Sequence, residues 1–132
     1  MTVSPDGGRL YIANELGDDI TVINTGTWRR AAVFSVARWP GLTTDALAIS
    51  PDGAWLYVAD LARNAVLIMN TATGGVRSVI RVGLRPVALA ITKDGGTLYV
   101  ANKADNTVTP STRRRDLPER RYQSAANRTR SP

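Results

Sequence analysis

The sequence predicts an all-β fold: an incomplete β-propeller of about two and a half four-stranded antiparallel blades, followed by a disordered basic C-terminal tail. Three observations predict it. A long segment repeats, its apolar runs have strand and never helix period, and one strand of each repeat is apolar on both faces.

Ser4-Pro5-Asp6-Gly7-Gly8-Arg9-Leu10-Tyr11-Ile12-Ala13-Asn14 returns as Ser50-Pro51-Asp52-Gly53-Ala54-Trp55-Leu56-Tyr57-Val58-Ala59-Asp60. It returns again as Thr92-Lys93-Asp94-Gly95-Gly96-Thr97-Leu98-Tyr99-Val100-Ala101-Asn102, so the spacings are 46 and 42. Ser-Pro-Asp-Gly is a tight turn: proline fixes φ, aspartate bonds the local backbone, and glycine takes positive φ. A short apolar run precedes it (Ala46 to Ile49, Val87 to Ile91) and Leu-Tyr-Ile/Val-Ala follows, which makes a hairpin. A third run ends in Asn24-Thr25 or Asn70-Thr71, and a fourth closes the unit at Ala32 to Val36 and Val76 to Val82.

In the second strand Leu56 and Val58 point one way while Tyr57 and Ala59 point the other. A strand buried on both faces belongs to a sheet held between two others, and four-stranded sheets stacked around an axis are propeller blades. A β-solenoid is the rival architecture, but its rungs are much shorter than 42 residues. The partial propeller is expected over residues 1–109, with repeats starting near 4, 50 and 92.

Tyr99-Val100-Ala101-Asn102 and Tyr11-Ile12-Ala13-Asn14, with Thr21-Val22-Ile23-Asn24-Thr25 in the third strand, resemble the YVTN-type β-propeller repeat. The likeness covers about residues 2–109. It implies the fold and says little of activity. Proteins of this kind include surface-layer and other extracytoplasmic binding proteins, and lactonase-like enzymes share the blade. The resemblance therefore implies a periplasmic or cell-surface location, although no signal peptide follows Met1.

The third repeat is expected to break at Pro110, which falls at the position of Ile68 and Val22 and removes a ladder donor. Residues 110–132 are then read as an Arg-rich disordered tail, poor in apolar side chains. It is either a basic arm for phosphates or acidic surfaces, or the out-of-frame end of a cut repeat protein; the break within a strand favours the second. A closed propeller needs about four blades, so two apolar blade faces are expected to stand open. Two copies pairing through them would approximate a ring of five or six blades.

Charge adds little. The net +6 divides into 10 basic and 9 acidic residues over 1–109, against 7 and 2 over 110–132, which argues against a nucleic-acid surface on the blades. There is no cysteine, hence no disulfide or thiolate chemistry, and no apolar run long enough for a membrane span. There is no histidine, so no Ser-His-Asp triad and no imidazole ligand.

Propeller ligands generally sit where second-to-third-strand loops and blade connections meet. That face receives Glu15, Asp18, Arg63, Asn64, Lys103 and Asp105, with the connections Arg38 to Thr44 and Gly83 to Pro86. Glu15, Asp18, Arg38, Trp39, Arg63, Asn64 and Arg85 are the ligand-binding candidates. Trp39 beside Arg38 suits a planar ligand or sugar, although packing over the adjacent blade is the commoner use of such a residue. Trp28 and Trp55 are expected at edges or blade seams, and the recurrent tyrosines in the core. Asp6, Asp52 and Asp94 recur once per blade and are turn residues. Asp18, Asp19, Asp45 and Asp60 are oxygen donors, but their spacing resembles no calcium loop. No catalytic residue, metal site or cofactor is assigned. The sequence points to a binding or scaffold module, cut from a longer protein, with an unidentified protein or small-molecule ligand. A fragment of a lactonase-like hydrolase is the alternative.

Overall fold

Each repeat folds into one antiparallel sheet whose four strands lie side by side in chain order. The computed structural model describes residues 1–14, 18–36, 38–39, 42–44, 46–112 and 122–123, with the backbone alone at 112, 122 and 123. The first sheet is β1 (Thr2–Val3), β2 (Arg9–Asn14), β3 (Asp19–Asn24) and β4 (Arg29–Ser35). The second is β5 (Leu47–Ile49), β6 (Trp55–Asp60), β7 (Ala65–Asn70) and β8 (Val76–Arg81). The third is β9 (Pro86–Ile91), β10 (Thr97–Asn102), β11 (Thr107–Thr112) and β12 (Tyr122–Gln123). No helix among the described residues is long and apolar enough to cross a membrane. The predicted all-β, open propeller architecture is the one observed.

The first turn of each blade is the same device three times over. The Ser4 hydroxyl donates to Asp6 Oδ1 (2.6 Å), which also accepts the Gly8 N–H (2.8 Å), while Arg9 N–H donates to Ser4 Oγ (3.0 Å). Ser50, Asp52, Ala54 and Trp55 repeat it, as do Thr92, Asp94, Gly96 and Thr97. Threonine replaces serine without loss because only the hydroxyl matters. Gly7, Gly53 and Gly95 follow with φ of 75°, 75° and 74°, the left-handed region glycine enters without steric cost.

The hydroxyl of Ser4 and then the amide of Gly8 hold the Asp6 carboxyl below its ordinary value of 3.8. A carboxylate with a lowered folded pKa stabilises above its unfolded pKa, and that contribution is lost as pH falls through the folded pKa. Asp6→Asn is therefore expected to destabilise the chain at neutral pH. The gap from the unsubstituted chain should close as the solution is acidified through the lowered pKa of Asp6. Urea midpoints measured across that range check this; a gap that stays constant would contradict it.

Sheet-to-sheet packing forms two seams. Tyr11, Ile20, Val22 and Phe34 of the first sheet meet Leu56, Val58, Leu67 and Met69 of the second. Tyr57 and Val66, on the other face of the second sheet, meet Leu98 and Val100 of the third. Burying a large apolar side chain fully stabilises by about 1.5–3 kcal/mol, and the middle sheet does this on both faces. Its second strand, β6, is buried from Leu56 to Asp60.

Two expectations need correction. Tyr11 and Tyr57 are core residues at 2% and 0% exposure, but Tyr99 is 44% exposed, because no sheet covers that face of the third blade. β11 also does not break at Pro110. It runs to Thr112 with Pro110 opposite Tyr99, and β12 pairs with it at Thr107 and Val108. The alternation of the ladder explains the tolerance. Thr71 N–H donates to Ala54 C=O (3.0 Å), which makes the Tyr57–Ile68 pair a non-hydrogen-bonded one. At the equivalent place, Pro110 nitrogen faces away from β10, beyond the stretch that β12 covers. Apart from residues 110–112 and 122–123, the Arg-rich segment lies outside the described residues.

Candidate functional site

The loop face is built from the connections between second and third strands and from the linkers between blades. The connections close with Asp18, Asn64 and Asn106, at φ of 54°, 55° and 53°. Short polar side chains enter the left-handed region more easily than others, which is why this residue type recurs here. Asp18 accepts the Val36 N–H on its carbonyl (2.9 Å), and Asn64 accepts Val82 N–H in the same way (3.0 Å).

Between the second and third sheets these groups form a clasp. Asn64 Oδ1 accepts Arg85 N–H at 2.9 Å, and Asp105 Oδ2 accepts Leu84 N–H at 3.0 Å. In return Lys103 N–H donates to Arg85 C=O (2.9 Å) and Ala104 N–H to Leu84 C=O (3.1 Å). The Thr107 hydroxyl fixes the other oxygen of Asp105. Arg85 is held at φ 58° while its side chain stays exposed. Gly83 sits beneath: a Cβ there would lie 2.7 Å from Asn102 Cγ and from Thr107 Oγ1.

The residue ending each second strand ties the face from below. Asn14 Nδ2 donates to Asp19 Oδ1 (2.7 Å) and Thr21 Oγ1 (2.6 Å), and Asn102 Nδ2 to Thr109 Oγ1 (2.9 Å). In the middle blade the same position is Asp60, fully buried, which accepts from the Arg63 guanidinium at 2.9 Å and from Ala62 N–H at 3.2 Å. An ion pair of this kind holds loop to strand. Trp39 packs against the first seam, and Arg38 lies 5.8 Å from its ring centroid, so the tryptophan covers a blade junction.

Of the sequence candidates, the structure therefore brings Asn64 and Arg85 together at one seam, with Arg63 close by on the same loop. Arg38 and Trp39 sit at the other seam with Asp18. Glu15 lies outside the described residues, as does Asp45. Among the described residues no three carboxylates gather as a metal site would require. Arg38, Arg85 and Lys103 leave this face with exposed cations.

Two features escaped the sequence reading. On the opposite face an open cleft of about 510 Å³ lies between the first turns of blades one and two, among Asp6, Arg9, Tyr11, Asp52 and Thr71. Burial raises the Tyr11 hydroxyl above the ordinary phenol value, with Arg9 acting in the opposite sense. The lone signal in the sequence was the 46-residue spacing, which sets two such turns in neighbouring blades. The second feature is the strain at Trp28, which of its two expected places, an edge or a seam, is not at a seam: it is 71% exposed, with φ 59°, at the place where blade two has Gly74. Alignment of the two repeats at those positions would have shown it. Trp28→Gly is expected to stabilise the chain by about 1 kcal/mol through relief of the left-handed strain. Thermal denaturation checks it, and a lower midpoint would contradict it. Trp55, by contrast, is partly buried under Arg77, whose guanidinium carbon is 4.9 Å from the ring centroid.

Residues 1–119 match the family model described as Lactonase, 7-bladed beta-propeller. Among solved structures the chain resembles hydrazine synthase from Kuenenia stuttgartiensis, at 29% identity and a TM-score of 0.76, over 84% of this chain and 31% of that one. It also resembles putative 6-phosphogluconolactonases from Bacteroides fragilis and Bacteroides uniformis. Identities there are 22% and 23%, TM-scores 0.70 and 0.69, with 85% of this chain and 33% and 35% of those chains covered. The chain thus spans about a third of the length of these structures. A search of curated protein sequences finds no match.

Proposed function

Since the chain belongs to the lactonase family of seven-bladed β-propellers, we propose that it serves as a non-enzymatic binding or scaffold module built on that family's blades. The observation that carries this reading is the use made of the loop-face oxygens. Asn64 and Asp105 hold the blade linker, and Asp60 holds Arg63. Groups so engaged position backbone and are poorly placed to move protons. The exposed side chains of Arg38, Arg85 and Lys103 suit contact with an anionic group of a ligand or partner.

Family membership favours one second reading, lactone hydrolysis, in which acids and arginines would replace the absent histidine. The purified chain, offered a sugar lactone, is expected to raise the hydrolysis rate no further than buffer does. Hydrolysis above background, lost in Arg63→Ala or Asp105→Ala chains that remain folded, would overturn the binding-module reading.

A further inference from the structure

The two seams inside the chain are made from one pattern. Each joins a tyrosine face (Tyr11 and Val22, or Tyr57 and Val66) to a leucine face (Leu56 and Val58, or Leu98 and Val100). The third sheet presents a tyrosine face that no described sheet covers. There Tyr99 is 44% exposed, and Ala90 and Ala88 beside it in the ladder are exposed as well. The first sheet presents a leucine face in the same condition. Leu10 and Ile12 are partly exposed and Val3 is 49% exposed, whereas Leu56 and Val58, their equivalents, are at 0%.

We propose that two copies of this chain associate head to tail, the tyrosine face of one third sheet receiving the leucine face of the other copy's first sheet. The occupant is specified by complementarity: one open face carries the tyrosine and the other the leucine pattern that already seal two seams, with Pro110 where Val22 and Ile68 stand. Tyr99 stands where Tyr11 and Tyr57 stand, and Leu10, Ile12 and Ile23 stand where Leu56, Val58 and Met69 do. The near-neutral charge of residues 1–109 sets no electrostatic barrier to the approach.

The contact joins unlike patches, so it either closes or grows. Blades turning about an axis limit the growth. Two copies bring six blades, within the four to eight that propellers close with, whereas a third copy would bring nine. Association therefore stops at the dimer.

The test uses the full chain in size-exclusion chromatography with light scattering. The expected mass is twice the 14.2 kDa of one chain. Tyr99→Glu and Ile12→Glu, one on each open face, are each expected to weaken the dimer at least about tenfold, a buried unpaired charge being the cause. Mixed together they should restore a dimer, since one of its two seams is then unaltered on both sides. A folded monomer at every concentration up to the solubility limit would overturn the proposal, as would an Ile12→Glu chain that dimerises normally or a mixture that stays monomeric. Should a variant lose its β-sheet circular dichroism, cross-linking decides. The chain has no cysteine of its own, so a bismaleimide should join Tyr99→Cys chains to Ile12→Cys chains. Joining of Tyr99→Cys chains to one another alone would overturn the head-to-tail arrangement.

Discussion

Tyr57→Ala is expected to lower the unfolding free energy by about 3–5 kcal/mol, the usual cost of truncating a buried aromatic. Tyr57 has 0% exposure in the middle blade and belongs to the second seam with Leu98 and Val100. Losing its ring opens a cavity that two sheets line, and neither can move in without parting from its own strands. Tyr99→Ala removes the same side chain at the same register position, where the ring is 44% exposed. Measured by urea denaturation at concentrations where the chain is monomeric, that variant should lose less than about 1 kcal/mol. Equal losses in the two variants would mean that the third blade's face is covered in solution even at high dilution.

The second large effect lies in a turn. Gly74 has φ 76°, and a Cβ built on it would stand 2.8 Å from Phe34 Cγ and 2.9 Å from Cε1. Phe34 is itself buried in the first seam and tilted against Tyr11 at a centroid distance of 6.5 Å. Gly74→Ala should thus combine the left-handed backbone penalty, about 1–2 kcal/mol, with the overpacking of a seam, about 1–3 kcal/mol. Gly53→Ala separates the two. Its φ is 75°, but its Cβ would meet only Pro5 Cδ at 3.6 Å, an ordinary contact. The expected order in denaturation midpoint is unsubstituted chain, then Gly53→Ala, then Gly74→Ala. A Gly74→Ala chain as stable as Gly53→Ala would show that Phe34 yields without cost.

The blade was legible in the sequence because its signals are local: an Asp-Gly turn needs four residues, and strand alternation needs five. Tyr99 was misread for the opposite reason. Its burial depends on a neighbouring sheet, and repetition at three sites tells nothing about what stacks beyond the third. Pro110 was misread because proline is harmful only where the ladder needs its N–H, and the parity of that need comes from pairing. Trp28 has no local mark of its strain, since tryptophan carries no preference for positive φ. The hydrogen bond from Arg85 N–H to Asn64 was not legible, because the two residues are 21 apart and meet only after two sheets have stacked.

That separation sets an order in time. Asn64 precedes the linker it holds, so when Arg85 leaves the ribosome its acceptor already stands on a finished hairpin. Asp105 follows the linker and closes over Leu84 only after β10 is made. The clasp therefore draws on groups made before and after the linker, each 21 residues away, and it ties the third blade to the second. Synthesis from the N-terminus suits such a contact, because each of its partners lies within 21 residues of the linker it holds.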